Sequence, residues 1–539
     1  MAERQALSGV RVHLSGAISD ETRDDAAEFA RKLSLRIFAE GGSVIHGSHP
    51  TLIEPLKEAA LEYMKADGDV GALTLVRAKK FATSPEDLAE IEAQRQFAAV
   101  QVVPADFSEE RRNELMPMRE WMADRSDAII CFGGNWWNIN KAKAGVPNEL
   151  DTMLDLGKPA FIAAGFGGAI ADYLKENPAL LSQLKNGLPD HLNRKIANET
   201  SVDQLVNMIV GQLKNLPLVQ RNLSRHRNFR ILALDGGGLR GAFTAAVLAK
   251  WDDMLKSGGD NGIISHFDLV AGTSTGAILA IGLGLGLPPA KILEFYKEKG
   301  PQIFPKDRKI RHFLKSKHDS ITLRGLLTEV YGEKTLIKES RSRLVIPTVR
   351  AKRGIAEAIV TPHSPNRTAF RDIAAVDAAL ASSAAPTYFD EAQWESNITP
   401  ESFLDGGVWA NNPILPALSE AVRHLHIPLD RIDVLSIGTL TSEHDFAEAL
   451  GKGMAGWALK STDLFFAAQE HGAMLLAESF LGPTRHFRVN QQTSSEIKLD
   501  DATAITEMIE RGNDAGKDSF VEVRSRFLDG LHAEKWTSY

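Results

Sequence analysis

The sequence predicts an α/β protein with two parallel-sheet domains, joined by a helical connector and followed by a helical C-terminal tail. Short apolar runs, such as Phe229 to Leu234, stop at small or polar residues and lead directly into helical patterns, which is typical of buried parallel strands. Strands that alternate with helices indicate doubly wound sheets. The 539 residues exceed what a single core holds, so two or three domains are expected.

Composition and charge limit the class of protein. Apolar residues make up 43% and charged residues 24%, which is typical of globular proteins. The net charge of −8 is spread along the chain and argues against a nucleic-acid partner. The single cysteine, Cys131, excludes disulfides within the chain and favours a reducing compartment. With neither a signal pattern nor an apolar run of about 18 residues, a cytoplasmic location is expected.

Residues 1–170 form the first predicted domain. Strands are predicted near residues 10–14, 43–45, 72–76, 128–132 and 159–164. Ligands of such sheets bind beyond the carboxyl ends of the strands, and three of these ends carry glycine, at Gly16, Gly47 and Gly133-Gly134. A glycine often only ends a strand. Several at one edge favour a phosphate or nucleotide pocket, because N–H groups at glycine turns and helix N-termini are anion donors.

This region resembles the SLOG group of Rossmann-like nucleotide-binding domains, which is related to the LOG nucleosidases. The resemblance rests on Ser15-Gly16, on Gly133-Gly134, and on Gly145 with Glu149. LOG enzymes have a compact Gly-Gly-x-Gly-Thr-x-x-Glu run, whereas residues 135–144 separate the glycines here. The resemblance therefore implies nucleotide binding rather than N-glycosidic hydrolysis. The expected pocket residues are Ser15, Gly16, Gly47, Gly133, Gly134, Asn135 and Glu149.

Residues 171–228 are polar and helical and are predicted to connect the two domains. A basic cluster, Arg221, Arg225, His226 and Arg227, stands before the next strand. It is expected to be a solvated end of the connector, with a contact to anionic lipid or nucleotide as the alternative. The domain boundary is placed just ahead of Phe229.

Residues 229–440 form the second predicted domain, and its central feature is Gly272-Thr273-Ser274-Thr275-Gly276. A Gly-x-Ser-x-Gly run between a strand and a helix puts the serine hydroxyl at an exposed, tight corner. Flanking glycines remove the Cβ atoms that would crowd this corner. An ordinary tight turn is the alternative for this motif on its own.

The glycine loop at 236–241 has two interpretations. Gly-Gly-Gly-Leu-Arg-Gly matches the Gly-x-Gly-x-x-Gly dinucleotide fingerprint. That fingerprint needs an acidic residue at the end of the next strand, but the next strand ends at the serine corner instead. The loop is therefore expected to serve Ser274 as an oxyanion hole, with Arg240 adding positive charge.

A nucleophilic serine needs a base, and Asp405, followed by two glycines, is the candidate. A full triad would add a histidine after the aspartate. The histidines available for it are His424, His426, His444, His471, His486 and His532. Direct activation of Ser274 by Asp405 therefore competes with a hidden triad.

This half of the chain resembles the patatin-like phospholipases over roughly residues 229–440. The matching motifs are Asp-Gly-Gly-Gly-x-Arg-Gly at 235–241, Gly-Thr-Ser-Thr-Gly at 272–276, Ala-Ser-Ser-Ala-Ala-Pro-Thr-Tyr-Phe at 381–389 and Asp-Gly-Gly at 405–407. The resemblance implies a Ser274–Asp405 dyad without histidine and an oxyanion hole at Gly236, Gly237, Gly238 and Arg240. It also implies hydrolysis of lipid acyl esters through an acyl-serine intermediate. Neither a cofactor nor a metal is implied.

Two further segments carry weaker signals. Basic residues at 306–311 beside apolar ones suit a cap near anionic lipid, and a solvated loop is the alternative. Residues 441–539 are predicted to be a helical part of the catalytic domain. The dense apolar pattern between Met454 and Leu481 favours core packing over a lipid-facing or oligomer-facing surface.

Together the two halves suggest a regulated effector, similar in architecture to bacterial anti-phage effectors. A small nucleotide messenger, such as a cyclic nucleotide or an ADP-ribose derivative, would bind the first domain and activate the hydrolase on membrane phospholipid at the inner face of the cell membrane. A homo-oligomer is expected. The alternatives are a constitutive lipase with a nucleotide-cleaving first domain, and a first domain that docks a protein partner.

Overall fold

The computed structural model describes most of the chain as two compact units. The first contains Met1–Asn228 with Arg524–Leu531, and the second contains Phe229–Val523 with His532–Tyr539. The described residues are 5–18, 23–103, 115–135, 137–218, 227–260, 262–304, 318, 320–395, 400–442, 450–452, 457, 461–493, 497–529, 532–533 and 535–539. The predicted cap residues 306–311, three residues of the predicted basic cluster (Arg221, Arg225 and His226) and His444 lie outside them.

The first unit is built on a six-stranded parallel sheet. Its strands are β1 (Arg11–Ala17), β2 (Ser43–His46), β3 (Leu73–Ala78), β4 (Ala99–Val103), β5 (Ala128–Gly133) and β6 (Ala160–Ala163). They lie in the order β4-β3-β2-β1-β5-β6. Because β1 pairs with both β2 and β5, the strand order reverses at β1, and the crevice between the carboxyl ends of β1 and β5 is a topological switch point.

Helices cover both faces of this sheet. They are α1 (Arg23–Ala39), α2 (Pro50–Lys65), α3 (Pro85–Gln94), α4 (Met116–Arg125), α5 (Gly145–Asp155), α6 (Gly168–Glu176), α7 (Asp190–Asn198) and α8 (Val202–Asn215). Alternate residues of β5 point to opposite faces. Phe132 packs in one core cluster with Phe29 of α1 and Leu205 of α8, whereas Cys131 packs in another with Leu150 of α5.

The segment predicted as a connector is therefore part of the first unit. Its helices α6 to α8 pack with the sheet instead of standing apart from it, and Leu205 and Ile209 of α8 are fully buried. An amphipathic helix must bury its apolar face against another element, and here the sheet provides that surface.

The second unit is built on an eight-stranded mixed sheet. Its strands are β7 (Phe229–Leu234), β8 (Leu269–Gly272), β9 (Arg343–Arg350), β10 (Ile355–Val360), β11 (Ala392–Glu395), β12 (Pro400–Asp405), β13 (Ile432–Ile437) and β15 (His486–Val489); β14 (Thr441–Ser442) and β16 (Gln492–Thr493) form a separate pair. Strands β9, β8, β7, β13 and β15 are parallel neighbours. Strands β10 and β12 run antiparallel to β9, and β11 runs antiparallel to β12.

The helices of the second unit begin at the serine and glycine loops or pack on the sheet. They are α9 (Gly241–Lys256), α10 (Thr275–Gly284), α11 (Pro289–Ile303), α12 (Ser320–Tyr331), α13 (Ala375–Ser383), α14 (Gly407–Ala410), α15 (Ile414–Arg423), α16 (Ser461–Leu481) and α17 (Ile505–Phe527), which belongs to this unit up to Val523. Every residue of α10 is buried, so the apolar run after Ser274 is core. Among the described residues, no helix has the length and apolar character needed to cross a bilayer.

The C-terminal tail differs from its prediction in two respects. It is not entirely helical, because β15 pairs with β13 and extends the sheet. Its apolar helix α16 buries Ala477 and Leu481, but exposes Phe465, Leu476 and Phe480. The density of apolar residues in α16 therefore does not reflect core packing alone.

Candidate functional site

Ser274 occupies the corner between β8 and α10. Its backbone is strained, with φ 53° and ψ −119°. A Cβ atom on Gly272 would collide with the carbonyl oxygen of Gly276, and one on Gly276 would collide with that of Leu234. The two glycines therefore make the corner sterically possible. A non-glycine residue in such a conformation is typical of a nucleophile held ready for attack.

Ser382, in the Ala-Ser-Ser-Ala-Ala-Pro segment, holds this corner from α13. The Ser274 N–H donates to Ser382 Oγ at 3.0 Å, and Ser382 Oγ donates to the carbonyl of Pro347 at 2.6 Å. The side chain of Ser382 is fully buried. The sequence prediction used this segment only as a family motif, and the structure gives Ser382 a contact to the serine corner.

Strand register brings Asp405 to the same place. On β9, Val345 lies opposite Ala271 of β8, and Thr348 lies opposite Asp405 of β12. Strand β10 pairs with β9 over both stretches and occupies its other edge. Strands β8 and β12 therefore share one edge of β9 and meet end to end, with their carboxyl ends facing each other.

Asp405 is a buried carboxylate, 5% exposed, in contact with the Ser274 hydroxyl. Burial raises the pKa of Asp405 to about 6, although hydrogen bonds from the Gly407 N–H and the Ser274 hydroxyl lower it. The Gly407 N–H lies 2.6 Å from Asp405 Oδ1. Desolvation makes this carboxylate a stronger base than an ordinary aspartate, while leaving it ionised at neutral pH.

Two of the histidines considered for a triad have other partners, and His444 lies outside the described residues. Among the described residues, the side-chain partners of Asp405 are Gly407 and Ser274 rather than an imidazole. His486 bonds Ser436 Oγ, and His532 bonds Ser265 Oγ. Within the part of the chain that the structure describes, Asp405 therefore contacts Ser274 with no imidazole between them.

The glycine loop after β7 lies against Ser274. The Gly236 N–H donates to Asn411 O at 2.9 Å, so this donor is already used. A Cβ atom on Gly236 would collide with Asn411 Oδ1, so the glycine lets the loop pack against Asn411 beside Ser274. The N–H groups of Gly237 and Gly238 remain as the candidate oxyanion donors of the loop.

Arg240 fastens the loop through hydrogen bonds to two backbone carbonyls. Its Nη1 lies 3.3 Å from the carbonyl of Leu440, and its Nε lies 3.4 Å from that of Gly237. These bonds tie the glycine loop to the segment that follows β13. Arg240 therefore shapes the candidate oxyanion site through the backbone.

An ion triad at the start of the glycine loop, in which Asp235 is buried, has no counterpart in the sequence prediction. Arg488 Nη2 lies 2.6 Å from both Asp235 Oδ2 and Glu470 Oε1. Burial raises the pKa of Asp235 to about 7, against the lowering effect of Arg488. Asp235 directly precedes the glycines, so Arg488 fixes the start of the loop. The ion pair joins residues far apart in sequence, which leaves no local signal.

Two of the residues predicted for the N-terminal pocket, Ser15 and Glu149, are in contact. Ser15 Oγ donates to Glu149 Oε2 at 2.6 Å, His13 Nε2 lies 3.2 Å from the same oxygen, and Arg119 Nε lies 3.7 Å from Oε1. Burial alone would raise the pKa of Glu149, but His13, Ser15 and Arg119 leave it below its usual value. His13 and Arg119 were not predicted, because nothing in their local sequence marks them.

The glycines of this pocket lie at neighbouring strand ends. Gly16 pairs with Phe132 across the switch point, and Gly133 and Gly134 follow with φ of 57° and 87°. Asn135 is exposed beside them. Gly47 ends β2, and a Cβ atom there would come within about 3.4 Å of Met118 and Met122 of α4. These residues share one edge of the sheet, as predicted, although Gly47 faces a helix.

Comparison with known proteins matches each half of the chain to a family. Residues 232–418 match the patatin-like phospholipases, and residues 70–217 match SLOG cluster2. A Pseudomonas aeruginosa protein named cGAMP-activated phospholipase is 33% identical over 54% of this chain and 88% of its own length. The chain belongs to the patatin-like phospholipase family. This phospholipase is therefore a hydrolase with an N-terminal SLOG domain.

Other relatives of this patatin-like phospholipase cover similar shares of the chain. A Vibrio cholerae cGAMP-activated phospholipase is 31% identical over 54% of this chain and 92% of its own length. Patatin-like protein 2 of Arabidopsis thaliana is 30% identical over 42% of this chain and 64% of its own length. Each match spans only about half of the chain.

Proposed function

We propose that this phospholipase is of the A type, with Ser274 as nucleophile and Asp405 as base, and that a nucleotide messenger switches it on. The contact between Ser274, in its strained corner, and the buried Asp405 carboxylate carries the proposal. A base with a raised pKa beside a serine in a Gly-x-Ser-x-Gly corner is the requirement for acyl transfer.

In the proposed reaction, Asp405 accepts the hydroxyl proton while Ser274 Oγ bonds to the ester carbonyl carbon. The N–H groups of Gly237, Gly238 and Thr275 stabilise the resulting oxyanion. The carbon–oxygen bond to the glycerol then breaks, and Asp405 returns its proton to that leaving oxygen. Water, deprotonated by the same carboxylate, attacks the acyl-serine; the bond to Ser274 Oγ breaks, Asp405 returns the proton to that oxygen, and the fatty acid is released.

Membrane phospholipid fits the surface of α16. This helix exposes Phe465, Leu476 and Phe480, which are 69%, 46% and 49% exposed. On the same helix, Gln469 Oε1 accepts the Asn411 N–H at 2.9 Å, and the carbonyl of Asn411 receives the Gly236 N–H. The exposed apolar residues thus share a helix with a residue tied to the glycine loop. Phe480→Ser should slow hydrolysis of vesicles more than that of a soluble short-chain ester.

The SLOG domain is the proposed receptor for the messenger, and a cyclic dinucleotide is the first candidate. Three relatives carry the name cGAMP-activated phospholipase. The switch-point crevice of the first unit supports this site, because its glycine turns suit phosphate groups. The Glu149 carboxylate is in contact with Ser15, His13 and Arg119. Because these contacts already occupy the carboxylate, they favour nucleotide binding over nucleotide cleavage.

A second location for the messenger is the catalytic half. Two of the cGAMP-activated relatives align over 88% and 92% of their own lengths with 54% of this chain, which is too little to include both units in full. Their name therefore belongs to proteins that match only part of this one. A docking function of the SLOG domain for a protein partner is the remaining alternative.

The proposed dependence of phospholipase activity on a messenger also suggests the biological role. A constitutively active phospholipase would damage the membranes of its own cell, so activity must wait for a signal. We propose a role in anti-phage defence, in which infection produces the messenger and the cell's inner membrane face is the target. A homo-oligomer is proposed as the active form.

The deciding experiment measures fatty-acid release from phospholipid vesicles with and without cGAMP. The wild type should be stimulated at least tenfold, and Glu149→Gln should lose this stimulation while keeping its unstimulated rate. Asp155→Asn, an equal charge change at an exposed position of α5, is the control. A response of Glu149→Gln to cGAMP equal to that of the wild type would favour a messenger site in the catalytic half. Full activity without any nucleotide would contradict regulation.

A further inference from the structure

A second cluster of polar side chains lies at the opposite end of β8 from the nucleophile. It contains Asp260, His266 and His532. His266 precedes β8, which begins at Leu269, whereas Ser274 follows its other end. The cluster is therefore separate from the catalytic machinery, and nothing in the proposed reaction uses it.

The three side chains are close enough to bind one ion. One ligand atom from each lies within 4.8 Å of those of the other two. His266 Nε2 is 3.2 Å from Asp260 Oδ1, and the rings of His266 and His532 are 4.7 Å apart between centroids. In a tetrahedral zinc site with bonds of about 2.1 Å, ligand atoms lie about 3.4 Å apart. A small rotation of the exposed His532 ring would complete that spacing.

The ring of His266 is held at the cluster by burial. His266 is fully buried, and Nε2 is the ring nitrogen that faces Asp260 Oδ1. A cation between the two side chains would take Nε2 as its ligand, and the Asp260 carboxylate would balance part of its charge.

The surroundings of His532 suit a metal ligand. Its Nδ1 lies 3.0 Å from Ser265 Oγ, and Ser265 Oγ donates to the carbonyl of Gly262 at 2.7 Å. The next residue is also fixed, because the Ala533 N–H donates to the carbonyl of Ser265 at 2.6 Å. A metal-bound histidine typically keeps its second ring nitrogen hydrogen-bonded in this manner, which sets the orientation of the ring.

We propose that Asp260, His266 and His532 form a site for a divalent transition-metal ion of the Zn²⁺ type, which fastens the C-terminal segment 532–539 to the catalytic unit. Two imidazoles and one carboxylate suit Zn²⁺, whereas Mg²⁺ and Ca²⁺ prefer sets of oxygen ligands. Because His532 is exposed, the fourth position is open to water. The site has a structural role, since it lies away from Ser274.

Metal binding by the full chain tests the site directly. Protein stripped with a chelator is titrated with Zn²⁺ by calorimetry and with Co²⁺ by visible absorption. The wild type should bind one equivalent more than His532→Ala and give the strong absorption bands of tetrahedral Co²⁺. His191→Ala, at an exposed position of α7, is the control and should bind as the wild type does. Equal stoichiometry and affinity in the wild type and His532→Ala would overturn the site.

Thermal unfolding tests the fastening role and does not depend on a buried substitution. A ligand that binds only the folded state raises the unfolding temperature. Zn²⁺ should raise the unfolding temperature of the wild type and of His191→Ala, but not the unfolding temperature of His532→Ala or Asp260→Asn. An equal rise in all four proteins would contradict the role. His532 and Asp260 reach the surface, so these variants should fold even if His266→Ala does not.

Discussion

Replacing Asp405 with asparagine should stabilise the fold while stopping catalysis. Burial raises the pKa of Asp405 from the usual 3.8 to about 6. The folded-state pKa lies above the unfolded one, so the ionised carboxylate destabilises the fold above pH 6, and this cost disappears as the pH falls towards 3.8. A shift of about 2 pKa units corresponds to about 3 kcal/mol at pH 8. Asparagine removes the charge, and its Oδ1 still accepts the Gly407 N–H.

Urea unfolding followed by tryptophan fluorescence measures this effect. The free energy of unfolding of Asp405→Asn should exceed that of the wild type by about 3 kcal/mol at pH 8 and by about 1.6 kcal/mol at pH 5. Asp390→Asn, at an exposed position of the same unit, should change it by no more than about 0.5 kcal/mol. The reasoning is refuted if Asp405→Asn is no more stable than the wild type at pH 8, or if the difference does not shrink at pH 5.

Three further predictions concern the catalytic unit. The logarithm of kcat/KM should rise with pH at a slope of one below about pH 6 and level off above it, because Asp405 must be ionised to accept a proton. A profile that stays flat down to pH 4.5 would exclude Asp405 as the base. Gly236→Ala should lower kcat by about 10²-fold, because its Cβ would collide with Asn411 Oδ1 and displace the glycine loop beside Ser274, whereas Gly325→Ala, in open space on α12, should leave kcat unchanged. Arg488→Met should lower the free energy of unfolding in urea by about 3–5 kcal/mol, because it leaves Asp235 buried without its cation, and Arg488→Lys should recover part of that loss. An unchanged free energy of unfolding in Arg488→Met would contradict this.

The sequence predicts the catalytic corner well because its cause is local. Small residues at Gly272 and Gly276 make the turn around Ser274 sterically possible, and any chain with those residues between a strand and a helix has few other conformations. The contact with Asp405 is different. It depends on β8 and β12 sharing one edge of β9, with β10 on the other edge. The apolar pattern does not reveal β9, β10 and β12, so the sequence prediction could not give this register.

Long-range packing explains the remaining differences. Strand β4 was missed because its short run, Ala99–Val103, lies between two helical patterns and owes its conformation to pairing with β3. The partnership of Arg488 with Asp235 joins opposite ends of the catalytic half, so neither residue signals the other. For α16, periodicity gave the helix correctly, but it cannot say which apolar residues a neighbour covers, and Phe465 remains exposed.

Covalent labelling of the nucleophile tests the central claim most directly. The wild type is incubated with a fluorophosphonate that reacts with activated serines, and its peptides are analysed by mass spectrometry alongside those of Ser274→Ala and Asp405→Asn. We predict one adduct, on Ser274, that is absent from Ser274→Ala and at least about 10²-fold slower to form in Asp405→Asn. An adduct on another serine, or equally fast labelling of Asp405→Asn, would contradict a Ser274–Asp405 dyad.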